Sequence, residues 1–410
     1  MDIELVIIGA GISGISMARA AQKKGIKYVI LESSNKWGGV WNSAFECTRL
    51  QTHWKNYGFQ DLNANSSIIK SNFPFSGEIL EYLNTYTNKY LLNCIFNKKV
   101  KKCYFDNFNC IWNITIETGE VYTSKYLSVC SGYYNNPREL VGLSRFEGEI
   151  INYNKYSKIR LKNKKILIVG NGASCVDVLK HWQKTGILEE IKTLDISYNR
   201  DKYFLNTYFA NFISLFVNKY FLRFLSIIPR KLLIILIYLF CEFNGHIPKE
   251  KFSADNVVAS GIITNLEKSG RIKYIKSLIA CAKGNKVLFA NGNVGDYDII
   301  INKCGYKKSI DFMNIDDIDK ELGYNYCLVD RFPQCAFIGF APSANWTRVS
   351  EAQSKWWSCV ITGSIKMPTK YECKQFIFKK GKTKGDTRVF NDLTYESLDF
   401  ADKLSRDCNL

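Results

Sequence analysis

Short unbroken apolar runs stand before glycine-rich turns along this chain, and segments of helical period follow them. Leu5 to Ile8 is the first run and reads as a buried parallel strand. It ends in Gly9-Ala-Gly11-Ile-Ser-Gly14, and small residues at Ser16, Ala18, Ala20 and Ala21 let a following helix lie close on a sheet. A second run, Tyr28 to Leu31, ends in Glu32. The arrangement returns at Ile166 to Val169, followed by Gly170-Asn-Gly172-Ala-Ser174-Cys175 and a helix carrying Asp177.

Between the two repeats, Ser76 is placed to cap a helix with Ile79, Leu80, Leu83, Tyr86 and Tyr90 on one face. Alternating runs from 100 to 122 predict a β-meander, and Tyr126 to Val129 predicts a strand ending in Cys130-Ser131-Gly132-Tyr133. From 254 to 300 the pattern is again of short strands, including Asn256 to Ile263, Val287 to Ala290 and Tyr297 to Ile301. These read as the returning sheet edge of the second repeat. Residues 336–358 give an apolar strand, a glycine turn and a capped helix. The fold class that follows is α/β, with two Rossmann-like dinucleotide-binding domains.

Each turn has a physical task. Gly9 allows a tight bend, Gly11 lets backbone approach a pyrophosphate, and Gly14 lets helix and strand touch. The helix N-terminus offers unpaired N–H groups and partial positive charge to phosphates. Glu32 can accept from a ribose 2′-hydroxyl and repels a 2′-phosphate, so the first turn suits FAD or NAD. In Trp37-Gly38-Gly39-Val40-Trp41, adjacent glycines permit close approach to a flat ligand that the tryptophans can wall. In the second repeat, Arg200, with Lys202 next, is the nearest cation past Thr193 to Ser197.

Composition narrows the classes. A chain of 410 residues with 46% hydrophobic content is globular and can hold two domains. The net charge of +18 reads as a lysine-rich solvated surface, and no nucleic-acid module is visible. The fourteen cysteines include no CxxC pair, and His53, His181 and His246 give no zinc spacing, so no metal site is expected. The missing CxxC also argues against a thioredoxin-reductase or glutathione-reductase type of flavoprotein. Asp2 followed directly by the first strand is not a secretory leader, and a cytoplasmic setting is expected.

With these motifs in order, the chain resembles the flavin-containing monooxygenases, especially the plant-type members. The likeness extends to Phe59-Gln60-Asp61, to Phe146-Glu-Gly148-Glu-Ile-Ile-Asn152-Tyr-Asn-Lys-Tyr156, to Asp177 and to Ser350-Glu351. It departs at Asn152, where the family has histidine, at Cys175, where it has a smaller residue, and at Lys303-Cys304 before Gly305-Tyr306. Lys303 reads as a change at an interdomain hinge, and Cys175 as a loosened helix–strand contact. The resemblance implies FAD held by Gly9, Gly11, Gly14, Glu32, Gly38, Gly39, Val40, Trp41, Gln51, Thr52 and Gly132. It implies NADPH held by Gly170, Gly172, Ser174, Cys175 and Arg200. Thr52 and Asn152 stand at the family's catalytic positions.

The implied domains are 1–150 for the first part of the FAD domain, 151–300 for an inserted NADP domain, 301–378 for the rest of the FAD domain and 379–410 for a basic tail. The apolar stretch 203–245 has two readings: a buried helical subdomain, or helices lying on a membrane for peripheral contact. The implied activity uses FAD, NADPH and O2 to insert one oxygen atom into a soft nitrogen or sulfur of a small substrate, through a C4a-hydroperoxyflavin. The alternatives are Baeyer–Villiger or decarboxylating oxygenation, and an FAD-binding protein without oxygenase activity.

Overall fold

The computed structural model describes residues 3–44, 47–50, 53–54, 57–62, 68–152, 161–204, 257–258, 260–341 and 346–373. The chain divides into two compact units: Met1–Ser43, Thr52–Asn136 and Lys307–Leu410 form one, while Ala44–Gln51 and Pro137–Tyr306 form the other.

In the first unit, strand β1 (Leu5–Ile8), helix α1 (Ile12–Lys23) and strand β2 (Tyr28–Leu31) follow the pattern of apolar runs. They seed a five-stranded parallel sheet in the order Cys335–Phe337, Tyr126–Val129, β1, β2, Cys94–Ile95. Its central strand Leu5–Ile8 is a continuous apolar run buried on both faces, and Val29–Leu31, Leu127–Val129 and Cys335–Phe337 are buried beside it. The antiparallel meander Val100–Asp106, Ile111–Ile116 and Val121–Ser124 packs Trp112, Ile114 and Ile116 against Val6, Ile8, Leu127 and Val129. The helix Trp346–Ile361 packs on α1.

Ser76 is the first residue of the helix Ser76–Tyr90, not its cap. The Glu78 carboxylate does the capping, accepting the Phe75 N–H at 2.9 Å and the Lys70 N–H at 2.7 Å. Tyr82, absent from the expected face, is fully buried with Ile79, Leu83 and Tyr86, while Leu80 and Tyr90 lie at the margin.

The second unit carries another five-stranded parallel sheet: Lys273–Lys276, Thr193–Tyr198, Lys165–Val169, Ile299–Asn302, Glu149–Asn152. Helix Ala173–Thr185 buries Cys175, Val176 and Leu179 with Ile166, Ile168 and Ile196. A three-stranded antiparallel sheet, Ile279–Lys283, Lys286–Phe289 and Val294–Asp296, packs Val287 and Phe289 with Leu167, Val169 and Ile300.

Two expectations are corrected here. Ile299–Asn302 is an inner strand, flanked by Lys165–Val169 and Glu149–Asn152, rather than a sheet edge. The run Asn256 to Ile263 does not continue as a strand, because helix Ile262–Lys268 starts inside it. The Ser260 hydroxyl accepts the Ile262 N–H at 3.2 Å, and Ile262, Ile263 and Leu266 recur at helical spacing to enter the core. Residues 205–245 of the apolar stretch and the tail 379–410 lie outside the described residues. Among the described residues no helix is long and apolar enough to cross a membrane.

Candidate functional site

The first unit brings Gly9, Gly11, Gly14, Glu32, Gly38 and Gly39 together. Gly9 turns the chain at φ 102°, and a Cβ there would lie 2.8 Å from the Cys130 carbonyl oxygen. A Cβ at Gly14 would lie 1.8 Å from the Gly9 carbonyl oxygen, so helix and turn touch through bare backbone. Glu32 is buried; its carboxylate accepts the Ala10 N–H at 2.6 Å and the Ser34 N–H at 2.7 Å. The loop of Gly38 and Gly39 docks on the turn, with the Gly38 N–H donating to the Ala10 carbonyl at 3.0 Å. A Cβ at Gly39 would sit 2.9 Å from the Gly11 Cα.

The two tryptophans of that loop have protein partners. Trp37 meets Phe96 edge-on at 5.4 Å, and the Trp41 indole donates to the Tyr57 hydroxyl at 2.8 Å. Val40 opens the short helix Val40–Ser43 and is exposed. Gly132 follows strand Tyr126–Val129 at φ 74°, two residues past the Cys130 that abuts Gly9.

Sequence reasoning missed a contact that ties this turn to the far end of the chain. The Ser13 and Ser350 hydroxyls are 3.0 Å apart, and a Cβ at Gly339 would lie 2.0 Å from the Ser13 Oγ. Gln353, fully buried, accepts the Gly339 N–H at 2.9 Å and donates to the carbonyls of Asn325 and Tyr326. Nearby in the chain, burial pushes the Glu351 carboxyl up to about 7, against the Gln60 N–H that it accepts at 2.9 Å and the charge of Arg348.

The second unit repeats the turn with different chemistry. Gly170 stands at φ 118°, and a Cβ there would lie 2.2 Å from the Lys303 carbonyl oxygen. Gly172 is the helix N-cap and adds no side chain to occupy the free first-turn amides. Ser174 is exposed on that turn, and Cys175 is fully buried where the first unit has Gly14. Burial pushes the Cys175 thiol up to about 12. Arg200 is exposed, and its carbonyl accepts the Asn171 side-chain amide at 3.0 Å. Ser197 points away from this cluster: its buried hydroxyl donates to the Ser277 carbonyl at 2.5 Å.

Lys303 is not an exposed hinge residue. It is buried beside the glycine turn, its N–H donating to the Val169 carbonyl at 2.7 Å. Burial pulls its ammonium down to about 8, opposed by Cys175, Cys47 and Asp177. Asp177 is itself pushed up to about 7 by burial, against Lys180 and a bond from the Arg49 backbone N–H. The Cys47 thiol donates to the Asp177 carbonyl at 3.3 Å, so residues 47–50 are strapped onto helix Ala173–Thr185.

Asn152 ends strand Glu149–Asn152, in register with Asn302; its side chain lies outside the described residues, as do Gln51 and Thr52 entirely. Among the described residues none of the cysteines is in a disulfide, and no group of three metal-ligating side chains is assembled.

Both turns fit a dinucleotide, because Gly11 and Gly172 leave the backbone at each helix start uncovered, with only ordinary contact or open space where a Cβ would stand. The first adds a buried acid, Glu32, whose chemistry suits a ribose hydroxyl; the second has no acid in that place and an exposed arginine nearby, whose chemistry suits a phosphate.

Comparison with known proteins agrees. Residues 6–219 match the pyridine nucleotide-disulphide oxidoreductase family. The chain is 24% identical over 464 residues to the putative flavin-containing monooxygenase 2 of Arabidopsis thaliana, covering 99% of this chain and 97% of that one. It is 26% identical over 322 residues to the probable indole-3-pyruvate monooxygenase YUCCA4 of the same plant, covering 74% and 76%. The crystal structure of cyclohexanone monooxygenase from Rhodococcus sp. Phi1 bound to NADP+ shares the fold at a TM-score of 0.73 and 15% identity, over 99% of this chain and 97% of that one. The disulphide chemistry in the family's name has no CxxC pair to use here. The chain therefore belongs to the pyridine nucleotide-disulphide oxidoreductase family and, within it, to the flavin-containing monooxygenases, flavoprotein oxidoreductases that work with FAD, NADPH and O2.

Proposed function

We propose that this enzyme transfers one oxygen atom from O2 to a soft nitrogen or sulfur nucleophile of a small substrate. The observation that carries the reading is the pair of unlike glycine turns in one chain, one with a buried acid and one without. Bound FAD supplies the redox centre that takes a hydride from NADPH and engages O2. The chain's own part is to bind, orient and shield.

Gly9, Gly11 and Gly14 leave room for the FAD pyrophosphate at the start of α1, and Glu32 takes the adenosine ribose. Gly38, Gly39, Val40, Trp41 and Gly132 complete that side. Gly170, Gly172, Ser174 and Cys175 hold the NADPH pyrophosphate, with Arg200 at its 2′-phosphate. Gln51 and Thr52 are assigned to FAD, and Thr52 and Asn152 to catalysis, by their place in the family's motifs. Asn152 can hydrogen-bond there but does not titrate near neutral pH, unlike the family's histidine. The stretch 203–245 is assigned to peripheral membrane contact or to a buried helical subdomain.

A second reading, oxygenation of a 2-oxo acid with loss of its carboxylate, is favoured by the likeness to YUCCA4. Purified protein tests both. It should be yellow, be bleached by NADPH, and recolour in air with one product oxygen per NADPH consumed. Amines and thioethers as substrates support the first reading; release of CO2 from aryl-2-oxo acids supports the second. A colourless or NADPH-inert protein overturns both.

A further inference from the structure

The two units can be superposed by their bonding. The Gly9 N–H donates to the Leu31 carbonyl at 2.9 Å, and the Gly170 N–H donates to the Ser197 carbonyl at 2.8 Å. The next residue along is Glu32 in one unit and Tyr198 in the other. The residue after the first glycine is Ala10 in one and Asn171 in the other. In the first unit these two positions bond directly, through the Ala10 N–H and the Glu32 carboxylate. In the second they do not. Tyr198 is buried and stacks on Tyr274 at 4.0 Å and 15°. Asn171, also buried, sends its amide to the Arg200 carbonyl at 3.0 Å and to the Tyr274 hydroxyl at 2.7 Å. Asp201, which would repel a phosphate, is paired with Lys276 at 2.5 Å.

We propose that Asn171 and Tyr274 form a latch that positions Arg200, and that with Tyr198 in the acid's place this latch makes the second unit select dinucleotides bearing a 2′-phosphate. This rests on the NADPH assignment above. The physical reason is double. A carboxylate at this position rewards a free 2′-hydroxyl and repels a phosphate, and an aromatic ring does neither. An exposed arginine on a loop loses entropy on binding, and anchoring its main chain to the glycine turn lowers that cost for the one geometry that meets the phosphate. Asn171 and Tyr274 are positioning residues: they act through Arg200.

The test is calorimetric titration of the full-length holoenzyme with 2′,5′-ADP and with 5′-ADP, which needs no turnover. Wild type should prefer 2′,5′-ADP by about tenfold or more, the worth of one charge-assisted bond. Arg200→Ala should erase that preference. Asn171→Ala, and Tyr274→Phe, which removes a single hydroxyl, should each reduce it severalfold while leaving 5′-ADP affinity unchanged. Tyr198→Glu should invert it. Equal loss of both probes in Asn171→Ala and Tyr274→Phe would mean a merely structural role and overturn the latch. An unchanged ratio in both would overturn it as well. If wild type binds neither probe, the NADPH assignment fails and the latch with it; if it binds both and the ratio answers only to Arg200, the assignment stands and the latch alone fails.

Discussion

The glycine turn of the first unit and that of the second run in step for six residues, yet they solve the packing problem differently. Gly14 corresponds to Cys175, Cys130 to Lys303, Ser13 to Ser174 and Glu32 to Tyr198. In the first unit the helix is pressed so close that a Cβ at Gly14 would overlap the Gly9 carbonyl, and a buried acid closes the turn. In the second the same place takes a thiol, and a buried lysine stands where the first has a cysteine. A shared fold thus needs the bend at Gly9 and Gly170, while the tightness of the helix behind it is free to vary.

Exchanging residues between the turns should break this contrast most visibly. Gly14→Cys should cost on the order of 4 kcal/mol, because backbone and not a mobile side chain fills the space. Cys175→Gly should cost about 2 kcal/mol, through a small cavity and a more flexible helix start. Thermal melting of the two variants measures the difference, and equal shifts would refute it. Next, Glu32→Ala should leave the buried Ala10 amide and the half-buried Ser34 amide unmet, at about 3 kcal/mol, and release FAD during gel filtration. Retention of the yellow colour would show that the acid is not the ribose ligand.

The third effect depends on pH. The Lys303 ammonium lies at about 8 in the folded chain against an ordinary 10.5. Between these values the unfolded chain binds the extra proton, so the Lys303 contribution to stability rises as pH increases through that window, while buried thiols such as Cys130 contribute a fall. Lys303→Met should abolish the rise, which is on the order of 2 kcal/mol, in denaturant midpoints taken at pH 7.5 and pH 10. The corresponding Cys130→Met should act in the opposite sense, removing a fall of stability with rising pH, because burial holds the Cys130 thiol above its ordinary value in the folded chain. Smallest is the serine pair. Ser13→Ala loses the bond to Ser350 and should cost about 1 kcal/mol, whereas Ser174→Ala, exposed, should be silent within about 0.5 kcal/mol.

What the sequence revealed was what is local. Leu5–Ile8, Ile12–Lys23 and Tyr28–Leu31, and their counterparts from Lys165, are written in neighbouring residues, so run length and glycine spacing suffice. Strand order is not local, and nothing in the letters of Ile299–Asn302 says that Lys165–Val169 and Glu149–Asn152 flank it. The helix at Ile262 was legible in principle: Ser260-Gly261 is a cap signal, outweighed by the β-branched run before it. The contact of Ser13 with Ser350 spans 337 positions, and the Asn171–Tyr274 bond spans 103, so neither could be read from spacing. Asn171 did carry a hint, since a buried amide inside a glycine turn must find partners.

The strap at Cys47–Leu50 has a consequence for how the protein is made. It joins the second unit although the chain on either side of it belongs to the first, so the polypeptide crosses between units four times. The second unit has all its segments once Tyr306 has left the ribosome. The first, which owns the opening strand, still waits for Cys335–Phe337 and Trp346–Ile361. Translation therefore finishes the later-starting half before the earlier one, and the α1 surface on which Trp346–Ile361 will pack spends the longest time uncovered.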